Sequence, residues 1–179
     1  MWRLPAAQMQ SDLLSTGVRT SVIGIVIGLT FGVWNLYQTW SDPLADDSVF
    51  ALLGFYGPMF VSWGVVGFIS RRRAASLARA TTAGATVALI SFAVYYCAIL
   101  VRVNVFLDVL RGREDWQMMV STFPSSGFES FRMYVNYIYA TGAPFKIAVA
   151  SAIGASTGFV GGLAGSVVGN PPEARCRAR

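Results

Sequence analysis

Four long runs of apolar residues, each nearly free of charge, constrain this chain more than any other feature. They cover residues 21–40, 49–70, 84–107 and 145–169. A helix needs about 20 residues to cross the roughly 30 Å hydrocarbon core of a bilayer, and each run has that length. Charged residues make up only 13% of the chain, against about 25% in soluble domains. We therefore predict a single-domain, all-α integral membrane protein with a four-transmembrane-helix bundle.

The distribution of charge between the runs predicts the orientation of the chain. The connector 71–83 contains four arginines and no acidic residue, whereas the segment 41–48 contains three aspartates and no basic residue. Basic residues are enriched in cytoplasmic loops, so we expect both termini in the cytoplasm and the segment 108–144 outside. Lys146 is the only lysine among 14 basic residues, which favours a GC-rich bacterial genome and hence the bacterial cytoplasmic membrane. Because the arginines flank apolar runs, we expect the lipid bilayer rather than nucleic acid as their partner.

The outer segment 108–144 contains an amphipathic pattern that predicts a helix of about 12 residues between the third and fourth spans. Apolar and aromatic residues recur at helical spacing; they are Phe128, Phe131, Tyr134, Val135 and Ile138. This extracytoplasmic helix has two possible roles. It covers the end of the bundle, or it is a docking surface for a partner protein.

Glycine repeats at intervals of four residues mark the first and last spans. They are Gly24, Gly28 and Gly32 in the first span, and Gly154, Gly158, Gly162 with Gly161, Gly165, Gly169 in the last. Four residues are close to one helical turn, so each series forms a stripe along its helix. Stripes without side chains let helix backbones approach closely in lipid. The simplest interpretation is that the first and last spans pack together, as in a glycine zipper. A second stripe on the last span would then be available for another protein or a second copy.

Five polar residues near the predicted outer ends of the first and third spans form a possible polar vestibule. They are Asn35, Arg102, Asn104, Asp108 and Arg111. The spacing places Asn104, Asp108 and Arg111 on one helix face, with Arg102 pointing elsewhere. The alternative is structural: Arg102 extends to the lipid headgroups, and Asp108 forms a surface pair with Arg111.

The chain contains no histidine, which excludes histidine-ligated haem, the common zinc sites and Ser-His or Cys-His catalysis. The sequence also has no P-loop, nucleophile elbow or paired carboxylates. No acidic residue lies in the middle of a span, which argues against proton-coupled transport. We therefore expect no enzyme activity, no metal and no cofactor.

These observations predict a small non-catalytic membrane protein. The favoured role is an accessory or structural subunit that packs into a larger membrane complex, or into a homo-oligomer, through its glycine-striped helices. The alternative is a small channel or solute transporter with a path lined by the glycine stripes and the polar vestibule.

Overall fold

A computed structural model describes residues 6–43, 49–73 and 76–169, with side chains from residue 17 to residue 168 within those ranges. The described residues form helices and turns and no strand. Four helices are long and apolar enough to cross a membrane, which confirms the predicted all-helical fold with four span-length helices. They are α1 (Ala6–Ser41), α2 (Val49–Arg72), α3 (Leu77–Val105) and α6 (Phe131–Gly169).

The fourth long helix begins earlier than the sequence predicts. The apolar run starts at residue 145, but α6 begins at Phe131 and continues through Pro144. Proline removes one backbone hydrogen-bond donor, a loss that membrane helices tolerate. The predicted amphipathic helix is therefore the first part of α6 and not a separate element. At 1.5 Å per residue its 39 residues extend about 58 Å, roughly twice the thickness of the hydrocarbon core.

The remaining residues between α3 and α6 form a small head over residues 106–130. It contains α4 (Leu107–Leu110), α5 (Gln117–Thr122) and two 3-10 turns, Glu114–Trp116 and Phe123–Ser125. The head packs on the end of α3 and the start of α6 through a cluster of buried side chains. They are Val103, Leu107, Leu110, Trp116, Phe131, Tyr134 and Val135. Three of the five predicted docking residues are therefore buried within the protein: Phe131, Tyr134 and Val135. Phe128 is half-buried, and Ile138 is exposed.

The helix α3 lies at the centre of the bundle and packs against α1, α2 and α6, while α1 and α2 scarcely touch. Gly24 faces Val87 and Gly32 faces Ala98, so α1 runs parallel to α3. The pairs Gly84 with Gly158 and Ala80 with Gly162 show that α3 and α6 are antiparallel. The head therefore lies at the same end of the bundle as the α1–α2 connection, which we call the head end.

The glycine stripes lie in these helix contacts, but with different partners from those expected. Gly24, Gly28 and Gly32 lie against α3 and not against the last span. On α6, the series Gly154, Gly158 and Gly162 lies against Ala80, Gly84 and Ala88 of α3, whereas Gly161 and Gly165 lie against Gly64 and Phe68 of α2. Both stripes of α6 are therefore used within the chain. Gly169, the last residue of α6, lies outside the part whose surroundings the structure describes.

The polar groups in the middle of the bundle are satisfied internally. Trp63 of α2 is fully buried, and its indole N–H donates to the Ser91 hydroxyl of α3 at 2.9 Å. The Ser91 hydroxyl in turn donates to the carbonyl of Ala88 at 3.2 Å. A buried donor without a partner would be costly in this apolar surrounding, so this pair fixes the contact between α2 and α3.

Candidate functional site

A polar cavity of about 310 Å³ lies at the head end, between the long helices and the head. Its volume is at the lower end of the range of small-molecule pockets, about 300–1,000 Å³. All four long helices and the head contribute to its wall. The lining residues are Asn35, Gln38 and Thr39 of α1; Asp42, directly after α1; Ala51, Leu52, Phe55 and Tyr56 of α2; Tyr95, Ile99 and Arg102 of α3; Arg113 of the head; and Tyr139 and Lys146 of α6.

The depth of the cavity follows from the register of α1 against α3. Gly32 faces Ala98, and the same parallel register places Arg102 level with residues 36–39. The exposed side chains of Trp34, Tyr37 and Trp40 surround this level. In membrane proteins Trp and Tyr concentrate at the membrane–water interface, and these three residues lie level with the cavity, on the head side of the bundle.

Basic side chains predominate in the cavity wall. Among the described lining residues Arg102, Arg113 and Lys146 are basic and Asp42 is acidic. Arg113 is only 3% exposed and forms a bidentate ion pair with Asp115, at 2.8 and 3.3 Å. Arg102 and Lys146 are thus the cations available to a ligand, and they make the cavity favourable to an anion.

Aromatic rings position the lysine side chain. The Lys146 ammonium lies 5.3 Å from the centre of the Tyr139 ring and 5.8 Å from that of Tyr96, within the range of cation–π attraction. The Tyr96 hydroxyl donates to the Tyr139 carbonyl at 2.7 Å, which holds the two rings together. The ammonium is therefore held at the wall by rings that leave its hydrogen-bond donors free for another partner.

Two buried polar atoms of the wall have no hydrogen-bond partner. They are Nε of Arg102 and Oδ1 of Asn35. The first is a donor and the second is an acceptor, and buried polar groups are almost always paired. Both residues line the cavity.

The predicted vestibule residues separate into two groups. Asn35 and Arg102 line the cavity, whereas Asn104, Asp108 and Arg111 do not. The side-chain amides of Asn104 and Asn136 exchange two hydrogen bonds, at 2.8 and 3.0 Å.

Asp108 and Arg111 lie beyond the end of α3. They therefore do not share a helix face with Asn104, contrary to the prediction from the spacing. Asp108 lies in α4 and is exposed, and the Arg111 guanidinium lies over the Phe131 ring at 4.6 Å. The helix ends at Val105, and Phe106 has a non-helical backbone conformation. That interruption turns the later residues away from the cavity.

Sequence reasoning missed three side chains of the site: Lys146, Arg113 and Tyr139. The available signal was the position of Lys146 at the head end of the last apolar run, the end at which Arg102 also lies. Their convergence depends on the packing of α6 against α3, which no spacing within either helix contains.

Fold and site together define a class of protein: a helical bundle with four helices of membrane-spanning length and a basic cavity at one end. Within the described residues no three His, Cys, Asp or Glu side chains are grouped closely enough to hold a metal ion. Comparisons with protein-family models, with curated proteins and with solved structures find no match. The functional argument therefore rests on the cavity itself.

Proposed function

We propose that this chain is a small non-catalytic membrane protein that binds an anionic ligand in the head-end cavity. The observation that carries the proposal is the buried, unpartnered Nε of Arg102 in a cavity that Lys146 also lines. A charged side chain costs about 2.5–3.5 kcal/mol at the centre of a bilayer and less toward the interface, and charged residues within spans mark functional sites. An anion bound between the two cations compensates for that cost.

The chemistry of the wall favours a phosphate ester that also carries hydroxyl groups. A guanidinium presents its donors in a fixed fork that matches the oxygens of phosphate, and Lys146 adds a second positive charge. Asn35 Oδ1 requires a donor, which a hydroxyl of the ligand supplies. The described wall also contains tyrosine, amide and threonine side chains, which can form hydrogen bonds with such a ligand.

The test is binding of glycerophosphoglycerol, a water-soluble phosphodiester with hydroxyl groups, to the purified full chain in detergent. Isothermal titration calorimetry should show that Arg102→Met or Lys146→Met weakens binding about tenfold or more. A hydrogen bond to a charged group contributes about 1.5–3 kcal/mol, and 1.4 kcal/mol corresponds to a factor of ten. Arg132→Met is the matched control, because it removes one exposed positive charge of α6 outside the cavity. Equal loss of affinity in all three variants, or no binding to the parent chain, would contradict the proposal.

The same ligand also tests the proposed location. We place the protein in the bacterial cytoplasmic membrane with both termini in the cytoplasm and the cavity on the outer side. The arginine-rich connector lies at the end opposite the head, as positive-inside topology requires. Glycerophosphoglycerol does not cross a bilayer, so it should bind to right-side-out vesicles and not to inverted ones.

A role as an accessory subunit of a larger membrane complex, or as a homo-oligomer, is a second proposal. The observation in its favour is that α1 contacts the bundle mainly through α3, so its outer face, with Val26, Val33 and Trp40, is more than half exposed. A discrete large assembly after gentle solubilisation of native membranes would support this role, and a monomer would contradict it. The glycine stripes that a channel would use as a lining lie between helices.

A further inference from the structure

We infer that the ligand is an anionic membrane lipid, with its headgroup in the head-end cavity and one acyl chain in an apolar groove between α1 and α2. This inference rests on the proposed function, because it identifies the bound anion as the headgroup of a lipid. Three features carry it: the position of the groove, its adjacency to the cavity and the chemistry of the two parts.

The groove has a volume of about 880 Å³ and lies between the head-side halves of α1 and α2. It exists because α1 packs on α3 while α2 packs mainly on α6, which leaves the facing sides of α1 and α2 apart. An edge-to-face contact between Phe31 and Phe55, with ring centres 5.4 Å apart, bridges the two helices. The lining residues are Leu29, Thr30, Phe31, Val33, Trp34, Tyr37, Gly54, Phe55 and Pro58.

The groove and the cavity are adjacent. Phe55 lines both, and along α1 the groove residues, 29–37, overlap in range with the cavity residues, 35–39. A molecule that occupies both therefore runs along α1, from the interface toward the middle of the bundle. The groove extends from Leu29 to Tyr37, about 12 Å along the helix, which is most of the roughly 15 Å depth of one leaflet.

The cavity is polar and basic and the groove is apolar, which matches the charged headgroup and the acyl chain of an anionic lipid. The cavity has two available cations and unpartnered polar atoms of Arg102 and Asn35. The groove has no charged residue in its lining. A soluble phosphate ester would match the cavity and leave the groove unused, whereas a lipid with a phosphate and hydroxyl headgroup matches both.

Two other apolar grooves lie on the described surface and are competing positions for an acyl chain. A groove of about 520 Å³ between α2 and α6, beside Val65 and Val160, shares no lining residue with the cavity. A smaller groove of about 230 Å³ beside Val149 shares Tyr56 and Lys146 with the lining of the cavity. We assign the chain to the α1–α2 groove because it is the largest of the three.

The experiment is photocrosslinking of the full chain in phosphatidylcholine nanodiscs that contain a minor amount of phosphatidylglycerol with a photoreactive acyl chain. Phosphatidylcholine with the same reactive chain is the comparison lipid. Peptide mapping should show the phosphatidylglycerol adducts concentrated on residues 29–37 and 54–58, about tenfold above those of the comparison lipid. Tenfold is the factor expected for one charge-assisted hydrogen bond. Arg102→Met should remove the difference.

Two glycine variants separate the acyl-chain site from the headgroup site. A side chain at Gly54 enters the groove, and a Cβ there has no atom within 4 Å, so Gly54→Leu should fill the groove without disturbing the fold. Gly57 has the same free space and lines neither the groove nor the cavity, which makes Gly57→Leu the matched control. We expect Gly54→Leu to lower the groove adducts about tenfold and to leave glycerophosphoglycerol binding unchanged, and Gly57→Leu to change neither.

Three outcomes would overturn the inference. Equal adducts from both lipids, spread over all lipid-facing helices, would show ordinary solvation by the bilayer. Adducts centred on Val149 or Val160 instead would place the chain in another groove. Binding of glycerophosphoglycerol together with an absence of headgroup-dependent groove adducts would leave the proposed function intact and reject the lipid. If glycerophosphoglycerol does not bind either, both proposals fail.

Discussion

Gly84→Ala is expected to destabilise the bundle by about 3 kcal/mol, the upper part of the usual range for overpacked cores. Gly84 of α3, Gly158 of α6 and Gly67 of α2 meet at one point where three backbones are in contact. A Cβ at Gly84 would overlap the carbonyl of Gly154 and lie 2.7 Å from the Cα of Gly158. Backbone atoms cannot rotate away as a side chain can, so α3 and α6 must separate. The loss should appear as a lower midpoint of thermal unfolding in detergent.

Gly57→Ala is the control for this prediction. A Cβ at Gly57 has no atom within 4 Å, and alanine is a better helix former than glycine by about 1 kcal/mol. We expect the midpoint of this variant to stay the same or to rise slightly. Equal midpoints for Gly84→Ala and Gly57→Ala would mean that α3 and α6 are not in backbone contact.

Trp63→Ala is expected to cost about 3–5 kcal/mol, the range for removal of a large aromatic side chain from a core. Trp63 is fully buried, contacts Phe60 with ring centres 5.1 Å apart and donates to Ser91. The alanine variant loses the packing of the ring and the hydrogen bond between α2 and α3 together. Thermal unfolding in detergent, followed by circular dichroism, measures the loss.

Two further variants separate the hydrogen bond from the packing around Trp63. Ser91→Ala removes only the acceptor, and hydrogen bonds between membrane helices are worth about 0.6–2 kcal/mol, so its cost should be clearly smaller. Trp34→Ala is the matched control, since Trp34 is half exposed and should have little effect on stability. A cost for Trp63→Ala no larger than that for Trp34→Ala would contradict the buried position of Trp63.

The number and approximate extent of the long helices could be predicted because each apolar run is itself long enough to cross a bilayer. The last helix was the exception. Its start was predicted at residue 145 because the residues before it are amphipathic, whereas α6 extends back to Phe131. Amphipathic and apolar segments join in one helix when the first part has its own packing partner. Here that partner is the head, through Phe131 and Val135.

The pairing of the helices was less predictable than their existence. The glycine spacing indicated close backbone contact in the first and last spans, but it contains no information about the partner helix. The partner of Gly28 is Ser91 of α3, and the α3 residues that face the α1 stripe include Ile90, Val94 and Ala98 but no glycine. A glycine stripe can pack against many different helix surfaces. The partner helix is therefore decided by how well all the helices of the bundle fit together.

The sequence by itself determined the class of fold, the four segments long and apolar enough to span a membrane, and the scarcity of reactive groups, because these follow from local hydrophobicity and from the residue types present. Only the tertiary structure decided the site. Asn35, Arg102 and Lys146 come from three helices and are far apart in the chain, and the position at which Phe106 ends α3 selects Arg102 and excludes Asp108. Spacing along one helix reveals which residues share a face. The cavity depends instead on how far each helix is shifted and rotated against its neighbours, and that is set by contacts between distant residues.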